Sequence, residues 1–342
     1  NILFEADDQG LTITGTDLEV SVSTTVEISD MQDSGAIALP AKVIIEMIRS
    51  LPDIPVAFEM KEAGQITITT NKGVYQIGGV SRDSYPDLPE FSQESSTISL
   101  DSRILGEMFE KTIFAVSSEE LRPALMGVFV QILEDEFRMV ATDGHRLSKV
   151  IYTDFSADIG TVSMIIPPKA VKMVLKNLNE EETVNLKIDE SGIRFDFNNT
   201  FLYTRLVEGD YPDYERVIPR DNDKVMIVDK DLLVSSVKRV SLFSSVLTHQ
   251  IKFELSQGKL AISSEDMDIG GEAREELETE YEGEDMDIGY NAHYLLDIIR
   301  HVDTDKIKFQ LKSPVRAALV NPATQKEDLS FIMLIMPIKL GS

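Results

Sequence analysis

EFRMVATDGHRL, residues 136–147, alternates apolar and polar positions and runs into Thr142-Asp143. The pattern recurs as GLTITGTDLEV at 10–20 and KLAISSEDMDIG at 259–270, so that Asp17, Asp143 and Asp266 stand 126 and 123 residues apart. A period of two predicts a half-buried strand, and the Asp marks the turn that ends it. Downstream of each copy, IALPAKVIIEMIRSL (37–51), MIIPPKAVKMVLKNL (164–178) and IGYNAHYLLDIIRHV (288–302) read as strand, turn and helix. A third shared block holds the alternating strands QITITT (65–70), GIRFDFN (192–198) and KIKFQLK (306–312). The first two of these lead into SYPDLP (84–89) and DYPDYERVIP (210–219), again 126 residues apart.

The later two repeats also open alike, with TISLDSRILGEMFEKTIFAV (97–116) and VMIVDKDLLVSSVKRVSLFS (225–244). In each, a short strand precedes a helix with Asp101 or Asp229 at the N-cap position. A period of this length is far too great for a stacked solenoid, so the repeats predict three similar domains. We expect them at 1–94, 95–221 and 222–342, with the polar stretches SQESS (92–96) and PRDND (219–223) at the junctions. Strand, helix, strands, helix, strands is an α+β order, with two helices on antiparallel sheets in each complete domain. Repeat one lacks the opening block, since Asn1 aligns near Gly127; the repeats therefore lead us to expect about 30 further residues, a strand and a helix, ahead of Asn1. Gly341-Ser342 reads as a cloning remnant.

The 342 residues are 42% apolar and 27% charged, the mixture of a soluble globular protein. The absence of Cys excludes a disulfide framework, a thiol nucleophile and thiolate-bound zinc, and four His make a His-only metal cage a poor expectation. The longest apolar run, FIMLIMP at 331–337, is far short of the ~18 residues of a membrane span. In the acidic stretch 263–289, Asp266 and Asp268 are two apart, but the spacing of an EF-hand is missing. Solvated outer strands are the expected use of that charge, and neither metal nor cofactor is expected.

The net charge is −26, from 33 basic and 59 acidic residues, which opposes a grip on nucleic acid through a broad basic surface. The five helical segments 41–51, 101–112, 168–178, 229–240 and 291–302 nevertheless carry a net +4, leaving −30 on the rest. Lys169, Lys172 and Lys176 form one helical stripe. Such a stripe is ordinarily the solvated face of an amphipathic helix. If equivalent helices share a surface, a polyanion is tolerated there and repelled elsewhere.

VATDGHRLS (140–148), preceded by LRPALMGVFV (121–130) and followed by DYPDYERVIP (210–219) and MPIKL (336–340), closely resembles the bacterial DNA polymerase III beta subunit family, the sliding clamps. The resemblance covers essentially the whole chain. It implies the DNA clamp fold, with two subunits joined head to tail in a dimeric ring of six domains, helices lining the hole and sheets outside. A ring holds duplex DNA by encircling it, so a weakly cationic lining suffices and contacts need not read sequence. The resemblance further implies a non-catalytic processivity factor in the bacterial cytoplasm at the nucleoid. Its partners would be the polymerase III alpha subunit, the clamp loader, and other polymerases, mismatch-repair and ligase-type proteins carrying short apolar-tipped peptides, with no membrane.

Carried over position by position, the peptide pocket takes in Leu125, Thr142, Gly144, His145, Arg146, Leu147, Pro212, Arg216, Val217, Leu334, Ile335, Met336, Pro337, Ile338 and Leu340. Lys339 departs from the Arg common in the family. On the DNA side the resemblance suggests Arg122, in the loop before the strand of Leu125, to which the helix reading adds Lys169, Lys172 and Lys176. At the ring seam it sets Leu242 and Phe243 against the edge strand of Tyr75 and Ile77. An enzyme is the rival class, since Asp143 and His145 could serve acid–base chemistry. No nucleophile or second acid stands at a recognisable spacing, however, and Asp17 and Asp266 recur without His.

Overall fold

Five helices occupy the places that the repeats assign, in a computed structural model that describes residues 1–61, 64–89, 91, 95–179, 182–266 and 270–340. They are α1 (Ala41–Ser50), α2 (Ser102–Ile113), α3 (Pro168–Asn177), α4 (Lys230–Ser241) and α5 (Ala292–Arg300). Their starts follow from the sequence. The Asp229 carboxylate accepts from Leu232 N at 2.9 Å, and Asn291 Oδ1 accepts from His293 N and Tyr294 N, which satisfies amides that have no partner inside the helix. Asp101 accepts from Arg103 N at 2.8 Å at the head of α2. Pro168 opens α3 at the one position where a missing N–H costs nothing. The junction expected at 94, Asp268 and the Gly341-Ser342 tail lie outside the described residues.

Residues 1–103 with 172–206 form one compact unit, and residues 104–171 with 207 onward the other, so the division runs inside α2 and α3. The first unit holds a nine-stranded antiparallel sheet. Its strands run in the order Val80–Ser81, Gly35–Leu39, Ile2–Asp7, Gly10–Thr16, Val20–Val26, Thr200–Arg205, Gly192–Phe197, Thr183–Ile188 and Ser96–Asp101. A separate three-stranded sheet runs Ala57–Met60, Gln65–Thr69, Val74–Gly78. Phe4, Ile37, Leu39, Ile44, Ile66 and Ile68 make a buried core, onto which Tyr75 and Ile77 pack half-buried.

The second unit repeats the arrangement. Its nine strands run Val162–Ile166, Val128–Ile132, Phe137–Thr142, Arg146–Tyr152, Leu329–Ile335, Ala318–Pro322, Lys306–Leu311, Lys224–Asp229 and Glu280–Tyr281. Gly271–Glu278, Lys259–Asp266, Gln250–Ser256 and Met286–Asn291 form a four-stranded sheet beside it. The acidic strand Gly271–Glu278 is an end strand whose residues alternate between half-buried and exposed, which keeps its charge in water. In both units the long sheet joins two successive repeats at its centre: Leu202 pairs with Val22 in the first, Leu147 with Leu334 in the second.

Two expectations are corrected. The alternation of KIKFQLK matches QITITT and GIRFDFN, yet Lys306–Leu311 is the first strand after α5, whereas Gln65–Thr69 and Gly192–Phe197 are the second after their helices. Lys306–Leu311 lies between Lys224–Asp229 and Ala318–Pro322, as Thr183–Ile188 lies between Ser96–Asp101 and Gly192–Phe197. Its counterpart is therefore Thr183–Ile188. A period of two looks the same in every strand of a meander, so alternation alone does not say which strand is which. Leu125 belongs to a 3-10 turn, Pro123–Met126, and the strand begins only at Val128. Pro123 at the head of that turn supplies the φ such a turn needs.

Candidate functional site

The turn Thr142-Asp143-Gly144-His145-Arg146 joins two central strands of the second unit and is held by its own side chains. Asp143 Oδ1 accepts from the backbone N–H of both His145 and Arg146 at 2.9 Å. Thr142 Oγ1 accepts from Gly144 N at 3.1 Å and donates to Arg146 O at 2.6 Å. Gly144 has φ +89°, a conformation side chains resist, and a Cβ built on it would stand 3.4 Å from an Arg122 guanidinium nitrogen. Asp17 makes the same turn in the first unit, accepting from Glu19 N and Val20 N. At Asp17 and Asp143 the recurring Asp is thus an Asx-type turn residue. His145 is exposed, its ring stacked on Tyr294 at 5.7 Å, and its carbonyl accepts from Met336 N at 2.8 Å.

Arg146 is only 8% exposed, and each of its three nitrogens donates to an oxygen. Nε donates to Asp143 Oδ2 (3.1 Å), Nη1 to Asp297 Oδ2 (2.6 Å) and Nη2 to Phe114 O (2.8 Å). The guanidinium also lies 4.8 Å from the Tyr294 ring centre. These three bonds brace the turn against α5 and the chain after α2.

Beside the turn, Leu147 and Leu334 face each other across paired strands in a buried cluster with Val140, Tyr214, Ala317 and Leu319. Phe129, Tyr211, Ile218 and Ile332 pack around it half-buried. Phe129 and Tyr211 stack with ring centres 4.5 Å apart. Burial pushes the Tyr211 phenol well above its ordinary range, and that of Tyr214 upward too, against the opposing hydrogen bond from Arg138. Leu125 and Ile335 are buried as well. Exposed residues border this cluster along the chain: Met336 is 41% exposed two residues after Leu334, and Val217 is 54% exposed three after Tyr214. Pro212 and Arg216 are exposed, with Arg216 Nε on Asp213 at 2.7 Å. Pro337, Ile338 and Leu340 are half-buried, and Ile338 N donates to Gly289 O at 2.8 Å, which ties the tail to strand Met286–Asn291.

Lys169, Lys172 and Lys176 are exposed on α3, opposite the buried Ala170, Val171 and Val174. Arg122 lies instead beside the Gly144 turn, in the loop ahead of the Leu125 turn, with Glu119 at 3.6 Å. Leu242, at the end of α4, is 75% exposed, and Phe243 follows it, also exposed. Tyr75 and Ile77 sit on an end strand but turn half-buried toward the core.

The cluster also contains residues that sequence reasoning passed over: Phe129, Val140, Tyr211, Tyr214, Ala317 and Leu319. Phe129, Val140, Tyr211 and Tyr214 fall inside three of the quoted motifs, so a signal was present. Leu319 lies in strand Ala318–Pro322 and Ala317 just ahead of it, outside the three repeated blocks. Asp297 and Phe114, which hold Arg146, carried no sequence signal at all.

Three family models match in order along the chain: the N-terminal, central and C-terminal domains of DNA polymerase III beta subunit, over residues 1–89, 99–213 and 215–339. The beta sliding clamp of Chlamydia muridarum is 29% identical over 341 residues, covering 99% of this chain and 91% of its own length. That of Caulobacter vibrioides is 30% identical over 348 residues, covering 99% and 92%. Among solved structures, a DNA polymerase sliding clamp from Pseudomonas aeruginosa with ligand superposes with TM-score 0.94 at 28% identity, covering 99% of this chain and 92% of that one. A sliding clamp from Bartonella birtlesii bound to griselimycin gives 0.93 at 31% identity, covering 99% and 91%.

Proposed function

Because the chain belongs to the DNA polymerase III beta subunit family, we propose that two copies close head to tail into a ring around duplex DNA, tethering replication proteins through the Leu147 site. Its function is that of a DNA sliding clamp, with DNA and a polymerase as partners. In this reading the three domains are 1–94, 95–221 and 222–342, and the chain supplies processivity without a catalytic step of its own. Asp143 supports that: its carboxylate is spent on two backbone amides and on Arg146. The polymerase III alpha subunit, the clamp loader, other polymerases, and mismatch-repair and ligase-type proteins would share the site. They would meet the chain at the nucleoid in the bacterial cytoplasm; no helix among the described residues is long and apolar enough to cross a membrane.

The observation that carries the peptide reading is the buried Leu147–Leu334–Leu319 cluster flanked in the chain by the exposed Met336 and Val217. Apolar side chains kept in water beside a packed apolar floor favour a short apolar-tipped ligand, and Met adapts its shape to several such tips. Leu125, Pro212, Arg216, Ile335, Pro337, Ile338 and Leu340 would complete the walls, with Arg146 holding the turn. Lys169, Lys172 and Lys176 would face DNA, and Leu242 and Phe243 would meet the Tyr75 and Ile77 strand of the second copy.

A fluorescence-anisotropy titration of the full chain with a labelled Gln-Leu-Ser-Leu-Phe peptide, against a scrambled control, tests the pocket. Saturable binding of the first peptide alone, at about micromolar Kd, is expected. Equal or absent binding of both by folded protein would remove the assignment.

A further inference from the structure

The first compact unit holds a groove of about 760 Å³, a volume typical of ligand sites. Its place in the fold can be read rung by rung from the strand pairing. Ser21 pairs with Tyr203, Tyr203 with Arg194, and Arg194 with Lys187. In the second unit Leu147 pairs with Leu334, Leu334 with Leu319, and Leu319 with Gln310. Ser21 and Leu147 are 126 residues apart, and the same offset relates Leu3 to Phe129 and Tyr85 to Tyr211. Tyr203, Arg194, Lys187, Leu3 and Tyr85 all line the groove. The groove is therefore the counterpart of the Leu147 site, built on the same rung by the preceding pair of repeats.

Its chemistry differs at that rung. Leu334, Leu319 and Gln310 give way to Tyr203, Arg194 and Lys187, and Phe91 and Phe201 add two further rings to the lining. Two of the three cations lining the groove are already satisfied. Arg82 donates to Glu5 at 3.0 Å and Asp87 at 2.9 Å, and Arg194 lies over the Phe201 ring at 4.0 Å and bonds Asp196. Lys187 is not: its ammonium stands 5.3 Å from the centre of the Phe91 ring and has no ion pair among the described residues. An ammonium left half-buried with no carboxylate partner among the described residues, in a chain of net charge −26 that offers 59 of them, can pair with an incoming anion.

We propose that this groove is a second peptide site that takes an acidic segment, seating an aromatic or aliphatic side chain among Phe91, Phe201 and Tyr203 with a carboxylate on Lys187. That the ligand is a peptide rests on the reading of the Leu147 site. With Glu5 and Asp87 held by Arg82, Lys187 is an isolated cation in the lining, which suits a single carboxylate better than the continuous charge of a phosphate backbone.

The test is anisotropy of fluorescein-labelled Asp-Glu-Leu-Phe-Asp-Glu with the full chain, with Gln-Leu-Ser-Leu-Phe titrated in parallel. Saturable binding of the acidic peptide is expected to persist in excess Gln-Leu-Ser-Leu-Phe and in Met336→Ala. It should weaken about tenfold or more in Lys187→Glu and recover in Lys187→Arg, with thermal melts unchanged. Should Lys187→Glu fold poorly, Lys187→Gln carries the same expectation of weakened binding. Failure of the Leu147 reading would show as lost Gln-Leu-Ser-Leu-Phe binding with the acidic peptide unaffected. No saturable binding, displacement by Gln-Leu-Ser-Leu-Phe, or undiminished affinity in folded Lys187→Glu or Lys187→Gln would overturn the proposal. So would displacement by oligothymidylate at lower concentration than by unlabelled acidic peptide, which would assign the groove to nucleic acid.

Discussion

A guanidinium has five donors and no acceptor, so it can be buried only where enough oxygens face it. Arg146 meets three, from Asp143, Asp297 and Phe114. Removing it takes the cation from between two carboxylates and leaves the Phe114 carbonyl without its donor. Arg146→Ala should cost about 3 kcal/mol in urea unfolding, the low end for a broken buried pair because Asp297 keeps some contact with water. Arg146→Lys should recover little, since an ammonium cannot span the three acceptors. Met336→Ala changes an exposed side chain and should leave stability within about 0.5 kcal/mol while weakening Gln-Leu-Ser-Leu-Phe binding. An Arg146→Ala chain as stable as the parent would mean that the turn does not depend on this residue.

At the scale of elements, α3 divides its faces cleanly, with Ala170, Val171 and Val174 inward and the three lysines outward. Lys172→Ala with Lys176→Ala leaves the packed face intact. The pair should weaken retention on circular DNA and flatten its salt dependence, each lost phosphate contact removing about 0.9 from the logarithmic slope. Peptide affinity should not change; if both fall together, the lysines act on folding. Strand Met286–Asn291 makes a different demand. A Cβ on Gly289 would stand 2.5 Å from Ile338 O and 2.9 Å from Leu340 Cδ2, so the tail can lie there only against glycine. Gly289→Ala should speed hydrogen exchange at the Ile338 amide and weaken peptide binding. Unchanged exchange would show that the tail accommodates the methyl.

At the scale of the whole molecule, the concern is what covers Leu242, Phe243 and the nearby Leu247, which is 90% exposed. Apolar side chains in water at a helix end suit a self-association surface, and an end strand with free backbone groups suits the other half of the seam. Leu242→Asp with Phe243→Asp should halve the mass seen by sedimentation and abolish retention on circular DNA, with peptide affinity intact. An unchanged mass would move the seam elsewhere. The charge pattern belongs to this scale as well. With −26 overall, retention that comes from encirclement should depend on ring closure more than on salt, and cutting the DNA circle should release the protein.

Three repeats, five helix positions and the turns at Asp17 and Asp143 were legible in the chain, because each depends on local periodicity or on side chains a few residues apart. The turn at 142–146 is such a case: Thr142 and Asp143 bond to amides and carbonyls within four residues. What pairs with what at long range was not legible. Alternation is identical in neighbouring strands, so KIKFQLK was matched one strand out of place, and Ala317 and Leu319 went unnoticed. Only the tertiary structure decided that Leu147 meets Leu334, 187 residues away, that Asp297 closes on Arg146, and that Lys187 comes to rest over Phe91 with no carboxylate partner among the described residues. Those outcomes depend on strand order and packing between distant segments, on which the residue types alone place no constraint.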